Sequence, residues 1–246
     1  MASYLITGCS RGIGLELTKL LSSSSAVGTI FATARSLTPA LQNVVNASGG
    51  CVHFVPLDVA KDDSIAAAVL EVDRKLGSGN GLDVLINNAG IQILEENGAT
   101  GMHALAESLN VNVIAVHKVS SAFLPLLSRG NQKKIVMLSS ELGSFALAGD
   151  FPANAPFPSY KISKAAVNML TIQYALELKP KGFTVFAVNP GWLRTDMGGP
   201  YANLEPVVGV QQVVDILLKA SPADNGSFRQ IYVEGWEIYD GKNVPW

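Results

Sequence analysis

The feature that most narrows the fold lies at the start of the chain, where a short apolar strand runs straight into a glycine turn and then a helix. Tyr4-Leu5-Ile6 is buried-strand material, Thr7-Gly8-Cys9-Ser10-Arg11-Gly12-Ile13-Gly14 is the turn, and residues 15–21 carry apolar positions at helical spacing. Gly8 permits the tight turn, Gly12 lets a diphosphate approach the backbone, and Gly14 allows helix and strand to lie close. The helix N-terminus then offers unpaired N–H groups to an anion. The stretch predicts a dinucleotide site at the carboxyl end of a first parallel strand, with Gly8, Ser10, Arg11, Gly12, Ile13 and Gly14 against the cofactor.

Strand and helix patterns alternate along the rest of the chain. A second strand over residues 28–33 ends in Ala34-Arg35. A chain that binds NAD usually places a carboxylate there for the ribose 2′-hydroxyl; a guanidinium at Arg35, with Arg11 in the turn, suits a 2′-phosphate instead. NADP(H) is therefore the expected cofactor. A third strand, residues 51–56, leads to Leu57-Asp58-Val59 at its carboxyl end, where open α/β sheets bind ligands. Asp58 either accepts from the adenine amino group or caps the helix that follows, expected over residues 60–76. The apolar run 82–86 is a central strand ending in Asn87-Asn88-Ala89-Gly90, whose amides tie strand ends together and whose small residues leave room for a ribose and nicotinamide. A long helix is expected over residues 101–128, interrupted by Asn112, which needs partners if buried. A fifth strand, 134–138, delivers Ser139-Ser140 to the same edge, and a last helix and strand are expected at 210–219 and 228–233.

Composition excludes several alternatives. With 246 residues, 48% of them hydrophobic, the chain buries a sizeable core, and a single domain over residues 1–246 is expected. The net charge of −2 is scattered, with no basic run longer than Lys133-Lys134, so neither nucleic acid nor an anionic membrane surface is an expected partner. No apolar stretch of about 18 residues stands out, and no signal peptide is expected ahead of Tyr4. The two cysteines, Cys9 and Cys51, suggest a reducing compartment, and the expected location is cytoplasmic. His53, His103 and His117 lack triad or metal spacing, so no metal is expected.

Tyr160 and Lys164 carry the chemistry. Pro158 precedes a helix-forming run in which Ser159 can cap, placing Tyr160 and Lys164 four residues apart on one face. A cation at ~4 Å in an effective dielectric of ~20 is worth up to about 4 kcal/mol, or roughly three pK units, so the phenol is expected to be acidified. With the preceding motifs, Ser140 and its Gly143, and Asn189-Pro190-Gly191 leading to Thr195, the chain resembles the short-chain dehydrogenase/reductase family. The closing stretches from Pro190 to Gly199 and from Tyr239 to Trp246 are similar to its branch of carbonyl reductases typified by sniffer and C-signal proteins, and to fungal ketoreductases. The resemblance implies an α/β, doubly wound Rossmann fold with a parallel seven-stranded sheet, and reduction of a small-molecule carbonyl, a ketone or aldehyde, by NADPH. It implies that Tyr160 protonates the carbonyl oxygen, Ser140 donates to it, Lys164 lowers the tyrosine pKa and holds the nicotinamide ribose, and Asn112 anchors a relay water. It further implies cofactor contacts at Val59, Asn88, Ala89, Gly90, Pro190, Gly191, Leu193 and Thr195.

Nineteen residues separate Ser140 from Tyr160, more than is typical of the family. The insertion, residues 144–158, holds Pro152, Pro156 and Pro158 with Phe145, Phe151 and Phe157, and reads either as one wall of an apolar substrate pocket or as a surface excursion. Residues 197–201 read as a lid with Trp192 at its base. An apolar or aromatic ketone is the favoured substrate. The aromatic tail is expected to bury against that lid or against a partner subunit, and the resemblance implies a homodimer or homotetramer through helices 101–128 and 159–179. Two other readings remain: a cofactor-binding protein without redox chemistry, and the same enzyme run as an alcohol dehydrogenase.

Overall fold

The structure is a computed structural model and describes residues 1–151 and 156–246. Seven strands form one parallel sheet: β1 Ala2–Ile6, β2 Val27–Ala34, β3 Val52–Pro56, β4 Val84–Asn87, β5 Lys134–Leu138, β6 Thr184–Asn189 and β7 Phe228–Gln230, in the order β3-β2-β1-β4-β5-β6-β7. Strand order reverses between β1 and β4. The carboxyl ends of those two strands open a crevice, which is where such sheets take their ligands.

The alternation of side chains along each strand divides the core in two. One face, with Tyr4, Ile6, Ile30, Val84, Ile86, Val136 and Phe186, packs on α1 (Gly12–Ser22), α2 (Pro39–Ala47) and α7 (Pro206–Lys219). The other face, with Leu5, Phe31, Leu85, Ile135, Met137 and Val185, packs on α3 (Asp62–Leu76), α5 (Ala115–Arg129) and α6 (Pro158–Leu178). Both faces are covered, so the strands are apolar throughout rather than alternating. Phe123 and Phe186 are wholly buried, and each contributes about 2–3 kcal/mol of transfer free energy.

Four local expectations change. The helix expected over 101–128 is broken into α4 (Leu105–Leu109), a π-helical turn at Asn110–Ile114, and α5, after a 3₁₀ turn at Ala99–Gly101. The disruption falls on Asn112, whose amide bonds outside its own helix. Leu105–Arg129 is long and apolar enough by composition to pass for a membrane span, contrary to the sequence reading, but its apolar side is spent on the core through Val116, Val119 and Phe123. Ser159 does not cap α6: Pro158 already occupies its first position, after Phe157, which makes no capping bond. The unpredicted α2 starts at Thr38-Pro39, a cap followed by a first-turn proline, and that pair was a legible signal.

Candidate active site

The glycine turn is held to the end of β4 from several atoms at once. Asn88 Nδ2 donates to the carbonyls of Thr7 (2.7 Å) and Gly8 (3.2 Å), while the Thr7 hydroxyl oxygen accepts from the backbone N–H groups of Asn88 (2.9 Å) and Ala89 (3.0 Å). Asn87 Nδ2 donates to Ser120 Oγ at 2.9 Å. The expected tying of strand ends is thus present, and Thr7, passed over in the sequence, is its hub. Gly8 has φ +76° and Gly12 φ +56°. A side chain on Gly14 would place Cβ 2.3 Å from the Gly8 carbonyl oxygen and 2.6 Å from Asn88 Nδ2. Gly14→Ala is therefore expected to destabilise the fold by about 1–3 kcal/mol and to abolish nucleotide binding, read by thermal melts with and without NADPH. An alanine variant that melts and binds like the parent would contradict this packing. Helix α1 starts at Gly12 with no side-chain cap at Arg11, leaving its first-turn N–H groups to face the crevice.

On the facing edge, Ser140, Tyr160, Lys164 and Asn112 come together. Ser140 Oγ accepts from the Leu142 N–H at 3.2 Å and faces the Tyr160 phenol. Lys164 is buried; its ammonium donates to the Leu138 carbonyl at the end of β5 (2.7 Å) and lies 5.5 Å from the centroid of the Tyr160 ring. The expected acidification of the phenol is not found. Burial pushes the Tyr160 phenol up to about 12, against a lowering by the Ser140 hydrogen bond, and burial pushes the Lys164 ammonium down to about 8. Desolvation wins because the cation is committed to a backbone carbonyl and the ring face rather than to the phenol oxygen.

Asn112 is buried and works as a clamp. Its Oδ1 accepts from the Ile91 N–H (2.8 Å), and its Nδ2 donates to the Ile91 carbonyl and to Ser163 Oγ (2.9 Å each). Both its amide hydrogens are taken, so a relay water at this side chain has only an acceptor lone pair to use. Ser163 passes the contact on, donating to the Tyr160 carbonyl at 2.8 Å. Ser139 Oγ donates to Asn168 Oδ1 at 2.5 Å, and Asn168 Nδ2 donates to the Gly143 carbonyl, bracing the loop that carries Ser140. Ser163 and Asn168 were missed in the sequence, although Ser163 stands three residues after Tyr160 and Asn168 four after Lys164, and that spacing was a usable signal.

The other predicted contacts line the crevice rim. Ser10 accepts through its carbonyl from Thr38 Oγ1 at 3.0 Å, and Ile13 packs on the core below the turn. Arg35 is exposed beyond β2, and Arg11 pairs with Asp196 at 3.1 Å with both side chains largely in solvent. Asp58 Oδ1 accepts from the Ala60 N–H at 3.1 Å, a turn ahead of α3, whose capping position is Lys61; the capping alternative therefore fails in its strict form. Val59 packs on the core beside β3, and Gly90 lies against Asn112 Oδ1. After β6 come Pro190, Gly191 (φ +81°) and buried Leu193, then Thr195, whose hydroxyl accepts from the Gly198 N–H at 3.1 Å. Trp192 donates from Nε1 to the Gly198 carbonyl at 2.8 Å, closing the turn read as a lid.

Of the aromatic tail, Tyr239 buries against the base of this lid, while Trp236 and Trp246 stay partly exposed. Tyr239 is fully buried, and its phenol oxygen accepts from the Trp192 N–H (3.0 Å) and Asn203 Nδ2 (3.1 Å). Trp246 stacks on Phe228, and its carbonyl accepts from Ala146 in the insertion. Residues 152–155 of the insertion, Pro152 among them, lie outside the described residues. Phe145 is 80% exposed, so it forms no pocket wall. A cavity of about 450 Å³ opens between Leu147, Phe151 and Ile238 on one hand and Glu141, Asp150 and Glu237 on the other. Its lining is mixed and holds none of Ser140, Tyr160, Lys164 or the glycine turn, so it lies beside the catalytic cluster rather than around it.

A doubly wound parallel sheet with a glycine turn at its switch point and a Ser-Tyr-Lys cluster on its carboxyl edge defines an α/β oxidoreductase. The family model for short chain dehydrogenases matches residues 3–205, and the chain belongs to that family. It is 34% identical over 166 residues to the C-signal protein of Myxococcus xanthus, covering 67% of this chain and 93% of that one. It is also similar to short-chain dehydrogenases of fungi. Among solved structures, the NADPH-bound carbonyl reductase from chicken fatty liver superposes with a TM-score of 0.87 at 31% identity, covering 100% of this chain and 99% of that one. Carbonyl reductase Sniffer of Drosophila melanogaster does so with a TM-score of 0.87 at 29% identity, covering all of both chains. The resemblance read from the motifs holds.

Proposed function

We propose that this protein is an NADPH-dependent carbonyl reductase, converting a ketone or aldehyde to the alcohol. The observation that carries the reading is the Tyr160 phenol set beside Ser140, with the buried Lys164 ammonium 5.5 Å from its ring centroid, at the same sheet edge as an uncapped helix N-terminus. The turn fits a dinucleotide: a Cβ built on Gly12 meets Thr195 atoms at 3.6 and 3.7 Å, so a side chain there would fill the slot between turn and Thr195. Gly8, Gly12 and the first turn of α1 would hold the diphosphate, and Arg11 and Arg35 a 2′-phosphate. The bound cofactor supplies hydride to the carbonyl carbon.

The chain's own residues handle the proton and the charge. Ser140 accepts from Leu142, and its single hydroxyl hydrogen, turned toward the Tyr160 phenol in the free protein, would turn to the carbonyl oxygen when substrate enters. Tyr160 donates its proton to that oxygen as negative charge builds there. A phenol near 12 remains a far stronger acid than the alkoxide's conjugate alcohol, so the transfer is downhill. The same raised value opposes alcohol oxidation at neutral pH, which needs the phenolate.

Following NADPH oxidation with ketones, diketones, quinones and hydroxylated or amine-bearing carbonyls tests the reading; no turnover with any of them would defeat it. Cofactor choice has its own test. Arg35→Asp is expected to lower the NADPH-over-NADH preference in kcat/KM by about 10- to 100-fold, the worth of one lost charge-assisted bond to phosphate. A variant that still favours NADPH as strongly as the parent would place the selection elsewhere.

A further inference from the structure

Glu95 takes no part in the chemistry above, yet it is 1% exposed and hydrogen-bonded from every side. Its Oε1 accepts from the His103 N–H (2.8 Å), the Ala104 N–H (2.9 Å) and Ser159 Oγ (2.9 Å), and its Oε2 accepts from the Ser159 N–H (3.0 Å). The His103 ring lies 3.8 Å away, and the Glu95 N–H donates to the Pro156 carbonyl at 2.8 Å. Burial alone would raise its pKa, but the hydrogen bonds prevail and hold it at about 2. The side chain is an anion at every working pH.

Its partners are the starts of two helices that have no caps of their own. Ala104 precedes α4 and has no side-chain acceptor; Phe157 precedes α6 and makes no capping bond. The carboxylate satisfies a first-turn N–H of α6, that of Ser159, and opposes the positive end of that helix dipole, while at α4 it ties down the His103 and Ala104 N–H groups that lead into the helix. The two helices lead into the candidate site. Tyr160 follows Ser159 directly, and α4 continues into the turn that carries Asn112. We propose that Glu95 is a positioning residue for the reaction, a cap supplied from a distant loop that fixes the first turn of α6 and so the place of the Tyr160 hydroxyl beside Ser140. This rests on the reading of Tyr160 as proton donor.

Glu95→Gln tests it with little change of volume. Its carbonyl oxygen still serves the three donors at Oε1, Ser159 Oγ among them, while its amide hydrogens face the Ser159 N–H, so the backbone bond to α6 is the one lost. The expected result is a kcat for carbonyl reduction about 10- to 100-fold lower, KM for NADPH within about twofold, and faster amide exchange in the peptide spanning residues 157–163. A kcat within about twofold of the parent overturns the inference, as does a fall in kcat with exchange in that peptide unchanged. As a second variant, Glu95→Ala vacates a space for a small carboxylate. Added formate is expected to recover at least about threefold in kcat, and no recovery counts against the cap. If the parent itself reduces no carbonyl, the functional reading fails, while the exchange of residues 157–163 still decides whether Glu95 holds the helix.

Discussion

Tyr160→Phe is expected to lower kcat for carbonyl reduction by about 10²- to 10⁴-fold, the usual contribution of a positioned general acid, equivalent to roughly 3–5 kcal/mol of barrier. The ring stays, and with it the packing of the Lys164 ammonium 5.5 Å from its centroid; only the hydroxyl that faces Ser140 is removed. Folding stability should therefore change by no more than about 1 kcal/mol. The turn and the rim that face the cofactor are untouched, so the Kd for NADPH, read by fluorescence titration, should stay within about threefold. A phenylalanine variant that turns over within tenfold of the parent would remove Tyr160 from the chemistry. A parallel loss of NADPH binding would show that the residue serves the cofactor instead.

Lys164→Met should abolish most activity while making the protein more stable. The lysine has an ordinary pKa of 10.5 and is held at about 8 in the folded state, so the unfolded chain binds the extra proton between those values. Stability attributable to this group rises as pH climbs from about 8 to 10.5, and below about 8 the full cost of burying the ammonium is present, roughly 3 kcal/mol. Methionine fills a similar volume without charge. It leaves the Leu138 carbonyl without its 2.7 Å donor, which returns about 1–2 kcal/mol of that gain. The net expectation at pH 7 is about 1–2 kcal/mol, or a Tm higher by roughly 2–8 °C. The gap between variant and parent should close and then reverse as pH rises from 8 to 10.5, a change that sets the other titrating groups apart from this one. In the parent, kcat/KM for reduction should fall above about pH 8 as the ammonium is lost. An equal or lower Tm for the methionine variant, with a gap independent of pH, would mean that the lysine is not held against its charge.

The opposing directions at Tyr160 and Lys164 explain why sequence spacing misjudged the phenol. Four residues on one helix bring an amine to the ring, which the pattern Tyr-x-x-x-Lys makes certain once the helix forms. Whether that amine then acidifies the hydroxyl depends on how much water remains and on what else the amine touches. Leu138, twenty-six positions earlier in the chain, supplies the competing carbonyl. Glu95 shows the same limit more sharply. In the sequence it is half of Glu95-Glu96, an ordinary solvated pair by composition, and only the meeting of three segments makes it a buried cap.

What this sequence determined by itself is whatever depends on neighbours in the chain. The strand-turn-helix at the N-terminus, the apolar strands, the glycines required by positive φ or close approach, and the order of motifs along one sheet edge all follow from local conformation and side-chain period. Only the tertiary structure decided the break in the helix at Asn112, the tail closing on Trp192, the mixed lining of the cavity, the charge states of the tyrosine and lysine, and the partners of Glu95. Those rest on desolvation and on hydrogen bonds between residues far apart in the chain, and their strength exists only once the surrounding segments have excluded water.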